Sequence, residues 1–367
     1  MLNKQKRFGE LFPDTFFLNK EEPEQLTDFL RMNGWIAADE KIACLEKPGE
    51  GNMNYVLRVS TDRQSFIIKQ SRPWVEKYPQ IDAPIERIVV EAQFYKVLSE
   101  IPVLQSYIPA LKGFKGESYI MAVEDLGESS DFTLIYKKEE AIQTSELTEL
   151  IQFLSELHQI DVRELREPFP ANQKLKQLNA EHIFHYPYLL ENGFDLDTIQ
   201  EGLQALALPY KQDEALKDKI IDLGERYLGL GDVLIHGDYY PGSWLRTRKG
   251  TKVIDPEFAY VGNAEFDLGV LVAHLKMAQT EESVIKAVLQ EYVMPDNFDH
   301  VLFAGFCGAE ILRRIIGLAQ LPLDLTLAEK AELLGWATHC VMQPARNGYL
   351  PVLNKSESGN LIDKSQC

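Results

Sequence analysis

Two short acidic motifs, each placed directly after a run of β-branched and apolar residues, constrain the fold of this chain more than any other feature. Residues 233–235 and 251–254 have the composition of short strands, and Asp238 and Asp255 follow them in the stretch VLIHGDYYPGSWLRTRKGTKVIDPE. A loop rich in Gly, Pro and Ser lies between the two runs. Either acidic triplet alone would be read as an ordinary turn. Together they favour phosphoryl transfer, in which one Asp positions the attacking hydroxyl and another holds the metal on the nucleotide.

The remaining sequence divides into a strand-rich front part and a helical rear part. Residues 55–59 and 66–69 are strand-like and are joined by a turn signal, and a leading segment, 21–35, has helical spacing with Leu26, Phe29 and Leu30 on one face. Beyond residue 125 helical periodicity dominates. It predicts helices over residues 139–159, 214–228, 284–292, 301–318 and 327–340. No GxxxxGK[ST] motif occurs, which disfavours a P-loop nucleotide site.

The segment HGDYYPGSWL resembles the catalytic loop of the aminoglycoside phosphotransferase and choline kinase superfamily, the small-molecule relatives of protein kinases. Within it, the chain is most similar to the 5-methylthioribose kinase branch, which places Ser where most relatives have Asn and follows the metal-binding Asp with Pro-Glu. Ser243 and Asp255-Pro256-Glu257 match those two details. Tyr78 and Tyr240 depart from the pattern of that branch and leave the choice of sugar open.

This resemblance implies an α+β, protein-kinase-like, two-lobed fold. Residues 1–124 would form a β-rich N-terminal nucleotide-binding lobe with a leading helix. Residues 125–367 would form a mainly helical C-terminal lobe that carries the catalytic and substrate groups.

The resemblance also implies roles for individual residues. Asp238 would be the base or hydroxyl-positioning group. Asp255 and Glu257 would hold Mg²⁺ together with Ser243, and on an extended chain residues two apart face the same side. The nucleotide-binding residues implied by the resemblance are Gly51, Asn52, Asn54, Lys69, Glu91, Glu124 and Leu126. Lys69 would pair with a glutamate of the following helix, where Glu91 is preferred over Glu86 because it lies in the middle of that helix.

Two adjacent arginines, Arg313 and Arg314, stand in an otherwise apolar helical segment, EILRRIIGLA. Buried arginines need anionic partners, and Glu310, Asp324 or solvent would satisfy them in a purely structural role. Methylthioribose kinases carry a similar pair on a late helix. By that resemblance, one of the two stabilises the transferred phosphoryl group.

Composition excludes several classes of function. The formal net charge of -18 argues against nucleic acid or an anionic membrane as a partner. No apolar run is long enough to span a bilayer, and no signal peptide is evident, so a cytoplasmic location is expected. The four cysteines have no CxxC spacing, which disfavours a zinc site or a disulfide framework.

These observations predict a kinase that uses ATP and Mg²⁺ to phosphorylate a hydroxyl of a small molecule. The first choice of substrate is 5-methylthioribose, in methionine salvage. The alternatives are another sugar or an amino alcohol of the aminoglycoside, choline or homoserine type, or a nucleotide-binding pseudokinase without turnover. The resemblance further implies a homodimer.

Overall fold

The strand-like runs between residues 42 and 124 pair into one five-stranded antiparallel sheet. The protein is described by a computed structural model that covers residues 2–49 and 53–344. The strands and helices of this part are α1 (Leu2–Leu11), α2 (Pro23–Met32), β1 (Ile42–Glu46), β2 (Tyr55–Thr61), β3 (Ser65–Gln70), α3 (Arg87–Ser99), α4 (Pro102–Gln105), β4 (Leu111–Lys115) and β5 (Ile120–Glu124). The strand order β1-β2-β3-β5-β4 puts β3 in the centre of the sheet.

The leading helix α2 packs on this sheet through the face that the sequence predicts. Leu26, Phe29 and Leu30 are buried there, in one cluster with Leu57 of β2 and Ile68 of β3. Burying large apolar side chains contributes about 1.5–3 kcal/mol each. The prediction of a helix with this apolar face is confirmed.

Helices dominate the rest of the chain. Its elements are β6 (Ser129–Asp131), α5 (Thr144–His158), α6 (Gln173–Ala180), α7 (Leu203–Gln212), α8 (Glu214–Leu228), β7 (Val233–Ile235), β8 (Trp244–Thr247), β9 (Gly250–Val253), β10 (Tyr260–Gly262), α9 (Ala264–Met277), α10 (Glu282–Glu291), α11 (His300–Ile316) and α12 (Leu327–Met342). Two small sheets, of order β6-β8-β9 and β10-β7, complete the strand pairing. The strand predicted at 233–235 is confirmed, and the one predicted at 251–254 is β9, shifted by one residue.

Helices α9 and α11 form the centre of the helical part. Every residue from 302 to 316 is buried, as are nearly all residues of α9. Two glycines permit this close packing. A Cβ at Gly269 of α9 would lie 3.0 Å from the backbone N of Cys307 on α11. One at Gly308 of α11 would lie 2.4 Å from the carbonyl oxygen of Ala337 on α12. Side chains at these two positions would push the helices apart.

The residues of this chain pack into two compact units. The first takes the described residues within Met1–Ser130, together with Leu165–Leu175 and Leu245–Tyr260. The second takes Asp131–Glu164, Lys176–Trp244 and the described residues within Val261–Cys367. The first, strand-rich unit thus includes two segments from later in the chain, residues 165–175 and 245–260. The sequence-based prediction instead divides the chain once, after residue 124. That single division into lobes stays a prediction.

No helix among the described residues is long and apolar enough to cross a membrane.

Candidate active site

In the first unit, Lys69 is the centre of a buried group of charges. It lies near the end of β3, where its backbone pairs with Met121 of β5, and its side chain is almost fully buried. Its Nζ donates to Oε1 of Glu91 on α3, at 2.7 Å, and also to Oδ1 of Asp255. Burial opposes the ammonium form, but Asp255 and Glu91 hold the pKa of Lys69 well above its ordinary value. Lys69 is therefore a permanent cation, and the predicted Lys69–Glu91 pair is present.

A second ion pair in this unit contains Glu257. Asn54 donates from Nδ2 to Oε2 of Glu257 at 2.9 Å, and Nε of Arg87 lies 3.3 Å from the same oxygen. Arg87 also donates from Nε to Oδ1 of Asn54 at 2.9 Å and from Nη2 to the carbonyl oxygen of Met53 at 2.8 Å. Burial raises the pKa of Glu257 to about 8. The like charges of Glu91 and Asp255 add to this rise, and Arg87 only partly offsets it.

The segment that joins these two carboxylates is not extended. Asp255 has a left-handed backbone, with φ 61° and ψ 44°, and residues Pro256–Phe258 form one turn of 3-10 helix. The expectation that Asp255 and Glu257 share a side because the chain is extended is therefore wrong. The turn instead directs Glu257 into the buried pair with Arg87, while the side chain of Asp255 stays 48% exposed.

The other predicted nucleotide residues differ in what the structure shows. Gly51 and Asn52 lie outside the described residues. Glu124 ends β5; its carboxylate accepts from Nζ of Lys249 at 2.9 Å and from the backbone N–H of Ala110 at 3.3 Å. Leu126 follows it and is half-buried. The Glu124 side chain thus has protein partners, and only the backbone of this segment remains a prediction for nucleotide contact.

In the second unit, Asp267 of α9 fixes the loop that carries Asp238. Its carboxylate accepts the backbone N–H of His236 at 2.6 Å and that of Gly237 at 2.9 Å. Gly237 has φ 80°, a conformation that favours glycine. His158 approaches the same carboxylate, with Nε2 3.4 Å from Oδ2. Asp267 therefore braces the main chain of this loop.

Asp238 itself lies beside both arginines of the tandem pair. Its Oδ1 is 3.9 Å from Nη2 of Arg313 and 3.7 Å from Nη2 of Arg314, and its side chain is 26% exposed. Burial raises the pKa of Asp238, and the two guanidinium groups oppose that rise. Ser243 belongs to the same loop, and its hydroxyl donates to the carbonyl oxygen of Asp238 at 2.9 Å. The structure thus brings together the three residues predicted to be catalytic.

Sequence reasoning missed several charged and polar residues around these two groups: Arg87, Tyr95, Tyr136 and His274. Arg87 carried a usable signal, because it precedes Glu91 by four residues and so lies one helical turn before it. Tyr95 is buried, and its hydroxyl accepts the backbone N–H of Asp255 at 3.2 Å. Tyr136 and His274 are far apart along the chain and have no local signal.

A model of the phosphotransferase enzyme family matches residues 45–301 of this chain. The chain belongs to this family. It is a small-molecule phosphotransferase, and the matched range includes the buried charges of the first unit and Asp238, but ends before the arginine pair.

Among known proteins, the phosphotransferase is similar to methylthioribose kinases. It is 26% identical to that of Bacillus cereus (strain G9842) over 347 residues, which covers 83% of this chain and 86% of the relative. It is 24% identical to that of Bacillus mycoides (strain KBAB4), covering 80% and 83%.

Solved structures show the fold of the phosphotransferase. LicA in complex with AMP covers 88% of this chain and 99% of its own, with a TM-score of 0.50 and 14% identity. The AMP complex of spectinomycin phosphotransferase APH(9)-Ia covers 87% and 98%, with a TM-score of 0.50 and 13% identity. The predicted protein-kinase-like α+β fold is confirmed, with its antiparallel N-terminal sheet and helical C-terminal part.

Proposed function

We propose that this phosphotransferase uses ATP and Mg²⁺ to phosphorylate a hydroxyl group of 5-methylthioribose. One observation carries most of the proposal: a partly exposed carboxylate, Asp238, with two guanidinium groups 3.7–3.9 Å from one of its oxygens. A hydroxyl-positioning carboxylate and cations for the transferred phosphoryl group are the parts that phosphoryl transfer requires. The similarity to methylthioribose kinases over most of both chains supports this choice of acceptor.

The role proposed for Asp238 is to accept the hydrogen bond of the acceptor hydroxyl and to take its proton. A carboxylate whose pKa is raised by burial is a stronger acceptor for that proton than an exposed one. Arg313 and Arg314 would stabilise the negative charge that is spread over the phosphoryl oxygens.

The first unit has groups that suit Mg²⁺ and the phosphates of ATP. Among the described residues no three His, Cys, Asp or Glu side chains are grouped to hold a metal ion. Two carboxylates are nevertheless a fitting donor set, because Mg²⁺ is usually bound by one or two carboxylates, substrate phosphates and water. Half-exposed Asp255 would be the main ligand and Glu257 the second, while Lys69 would bind phosphate oxygens. Bound Mg²⁺ would neutralise charge on the phosphates and orient them.

The charges near Asp238 favour a neutral acceptor over a cationic one. Two arginines and the two carboxylates Asp238 and Glu310 give this group a net charge of zero, with no carboxylate left unpaired to bind an ammonium. Choline, homoserine and aminoglycosides carry ammonium groups, whereas methylthioribose is neutral. The arginine pair therefore supports a neutral sugar.

An ATP-dependent screen of methylthioribose, choline, homoserine and spectinomycin tests this proposal. We expect transfer of phosphate from ATP to methylthioribose, at a rate at least tenfold above that for the three acceptors that carry an ammonium group. Preference for one of those three acceptors would refute the substrate choice. Nucleotide binding without turnover of any acceptor would favour a pseudokinase.

A further inference from the structure

One buried carboxylate holds both arginines of the tandem pair. Glu310 is 1% exposed, and its two oxygens bind different arginines. Oε2 accepts from Nε of Arg313 at 2.5 Å, and Oε1 accepts from Nε of Arg314 at 2.7 Å. Burial would raise the pKa of Glu310, but the two guanidinium groups hold it well below its ordinary value. Glu310 is therefore an anion at neutral pH.

Helix geometry explains why a single residue can do this. Neighbouring residues on a helix point about 100° apart, so Arg313 and Arg314 would by themselves diverge. Glu310 precedes them by three and four residues, and both spacings place side chains next to each other on a helix. Because Glu310 accepts from Nε of each arginine, the Nη2 atoms remain available for other partners. One Nη2 from each arginine faces Asp238.

A third donor fixes the orientation of the Glu310 carboxylate. Nε2 of His274 lies 2.9 Å from Oε1, and Nδ1 of the same ring lies 2.5 Å from the hydroxyl of Tyr136. An ionised carboxylate can only accept, so Nε2 carries the proton and Nδ1 accepts from Tyr136. Burial lowers the pKa of His274 to about 4, which keeps the ring neutral. His274 thus orients the carboxylate without changing the charge balance.

We propose that Glu310 is a positioning residue for phosphoryl transfer: it brings the guanidinium groups of Arg313 and Arg314 to one side of α11, next to Asp238. This inference rests on the proposed function of these three residues. Glu310 does not touch the acceptor; it acts through the two arginines, and His274 and Tyr136 hold it in place.

The first test measures the kinetics of Glu310→Gln. The amide keeps one acceptor oxygen and places an NH₂ donor against the other guanidinium, which then has to move. A misplacement of about 1 Å can reduce turnover by about 100-fold. We expect kcat to fall by about 10- to 100-fold while the KM for ATP changes by less than about twofold.

The matched control is Glu40→Gln in the first unit. Glu40 is also buried, at 3% exposure, and accepts from Thr61, Gln64 and the backbone of Ala37. Its replacement should lower stability and leave kcat unchanged. If both variants lose the same stability and the same activity, Glu310 has only a structural role.

A mutant cycle shows whether Glu310 acts through the arginines. In a chain that already carries Arg313→Lys and Arg314→Lys, Glu310→Gln should reduce kcat by less than about threefold, because the groups it positions are gone. A full additional loss in that background would contradict the proposal. If Glu310→Gln does not fold, Glu310→Asp replaces it, because it keeps the charge and shortens the reach by one methylene.

The pH profile separates positioning from simple charge balance. Asp238 is faced by the charged and titratable groups of Arg313, Arg314, Glu310, His236 and Tyr136. Removing the charge of Glu310 while the arginines stay in place would shift the acid limb of kcat/KM to lower pH. Loss of the arginines from their positions would shift it to higher pH, and this is the expected result. A shift to lower pH would refute positioning.

A measurement without substrate distinguishes failure of this inference from failure of the proposed function. Spectra of ¹⁵N-labelled protein should show two slowly exchanging arginine Nε–H signals, assigned by Arg313→Lys and Arg314→Lys, and at least one of them should disappear in Glu310→Gln. Persistence of both signals would overturn the inference even if methylthioribose is phosphorylated. Loss of a signal in a protein that phosphorylates none of the acceptors would support the geometry and reject the proposed reaction.

Discussion

The two buried groups of charged residues, around Lys69 and beside Asp238, differ in how their charges are compensated. Around Lys69 the first unit buries Glu91 and Glu257, with Asp255 at the margin, against Lys69 and Arg87, so carboxylates outnumber cations by three to two. In the second unit the positive charges of Arg313 and Arg314 are balanced by the carboxylates of Glu310 and Asp238. Glu310 also accepts a hydrogen bond from His274. An isolated buried charge is costly, so an unbalanced group is stable only if a proton or a further cation compensates it.

This difference assigns different chemistry to the two groups. Burial, together with the charges of Glu91 and Asp255, raises the pKa of Glu257 to about 8, so this carboxyl favours a proton, and a divalent cation would also compensate the negative charge of the first group. The second group has a cationic surface fixed by Glu310 and one partly exposed carboxylate. It is suited to a neutral hydroxyl and an incoming anionic phosphoryl group.

The largest effect that would test this difference between the two charge groups is expected for Asp238→Ala. A positioned acid–base group contributes about 10²–10⁴-fold to the rate, and we expect a loss of this size in kcat. Nucleotide affinity, which we assign to residues of the first unit, should stay within about twofold of the parent. Steady-state kinetics and calorimetric titration with ATP measure both. Turnover within a few-fold of the parent would show that Asp238 does not position the hydroxyl.

Asp255→Asn tests whether the carboxylate excess serves a metal. An amide is a weaker Mg²⁺ ligand than a carboxylate, so we expect the Mg²⁺ concentration for half-maximal activity to rise by about tenfold or more. Asp62→Asn, in an exposed turn of the same unit, is the control. An unchanged Mg²⁺ requirement would remove Asp255 from the metal site.

Opposite pH responses should distinguish the two groups in thermal unfolding. The folded pKa of Glu257 is about 8 against an ordinary 4.5, so the folded state binds the extra proton and its contribution to stability is lost as pH rises through that interval. The folded pKa of His274 is about 4 against 6.5, so its contribution is lost as pH falls through that interval.

We therefore expect Glu257→Gln to flatten the decline of Tm between about pH 5 and 8, and His274→Gln to flatten the decline between about pH 6.5 and 4, by a few degrees in each case. Scanning calorimetry without Mg²⁺ or nucleotide makes the measurement. Unaltered pH profiles in both variants would mean that neither group titrates as described.

The smallest expected effect belongs to Tyr136→Phe. It removes the hydrogen bond to Nδ1 of His274 and leaves the bonds of Glu310 in place. A single buried hydrogen bond contributes about 1 kcal/mol, which corresponds to a decrease of about fivefold or less in kcat/KM. A decrease as large as that of Glu310→Gln would mean that Tyr136 has a direct role.

Much of the fold could be predicted from periodicity, and the exceptions have a physical cause. Helix α8 was predicted with the bounds that it has, because one face is apolar and the other charged. Helix α9 was not predicted, since it is buried on nearly all sides and its apolar residues show no period. The resemblance implies that Lys69 pairs with a helix glutamate, and the central position of Glu91 in that helix favours it over Glu86.

Contacts that depend on chain geometry were less predictable. The backbone at Asp255 turns where an extended strand was expected, and the sequence Asp-Pro-Glu does not indicate a left-handed residue. The contact of His274 with Glu310 joins positions 36 residues apart, beyond the reach of any local pattern. Such long-range partners emerge only when helices pack.

The hydrogen bonds of Asp267 to the backbone of residues 236 and 237 have a consequence for how the substrate of such enzymes can change. Because Asp267 binds main-chain N–H groups, and lies on a helix in the centre of the unit, this anchor of Asp238 does not depend on the side chains of the loop. The neighbouring position 240, a tyrosine whose ring lies 4.9 Å from the Arg314 guanidinium, is then open to exchange during evolution. A lineage can alter what it phosphorylates by replacing such side chains, without rebuilding the apparatus that does the phosphorylating.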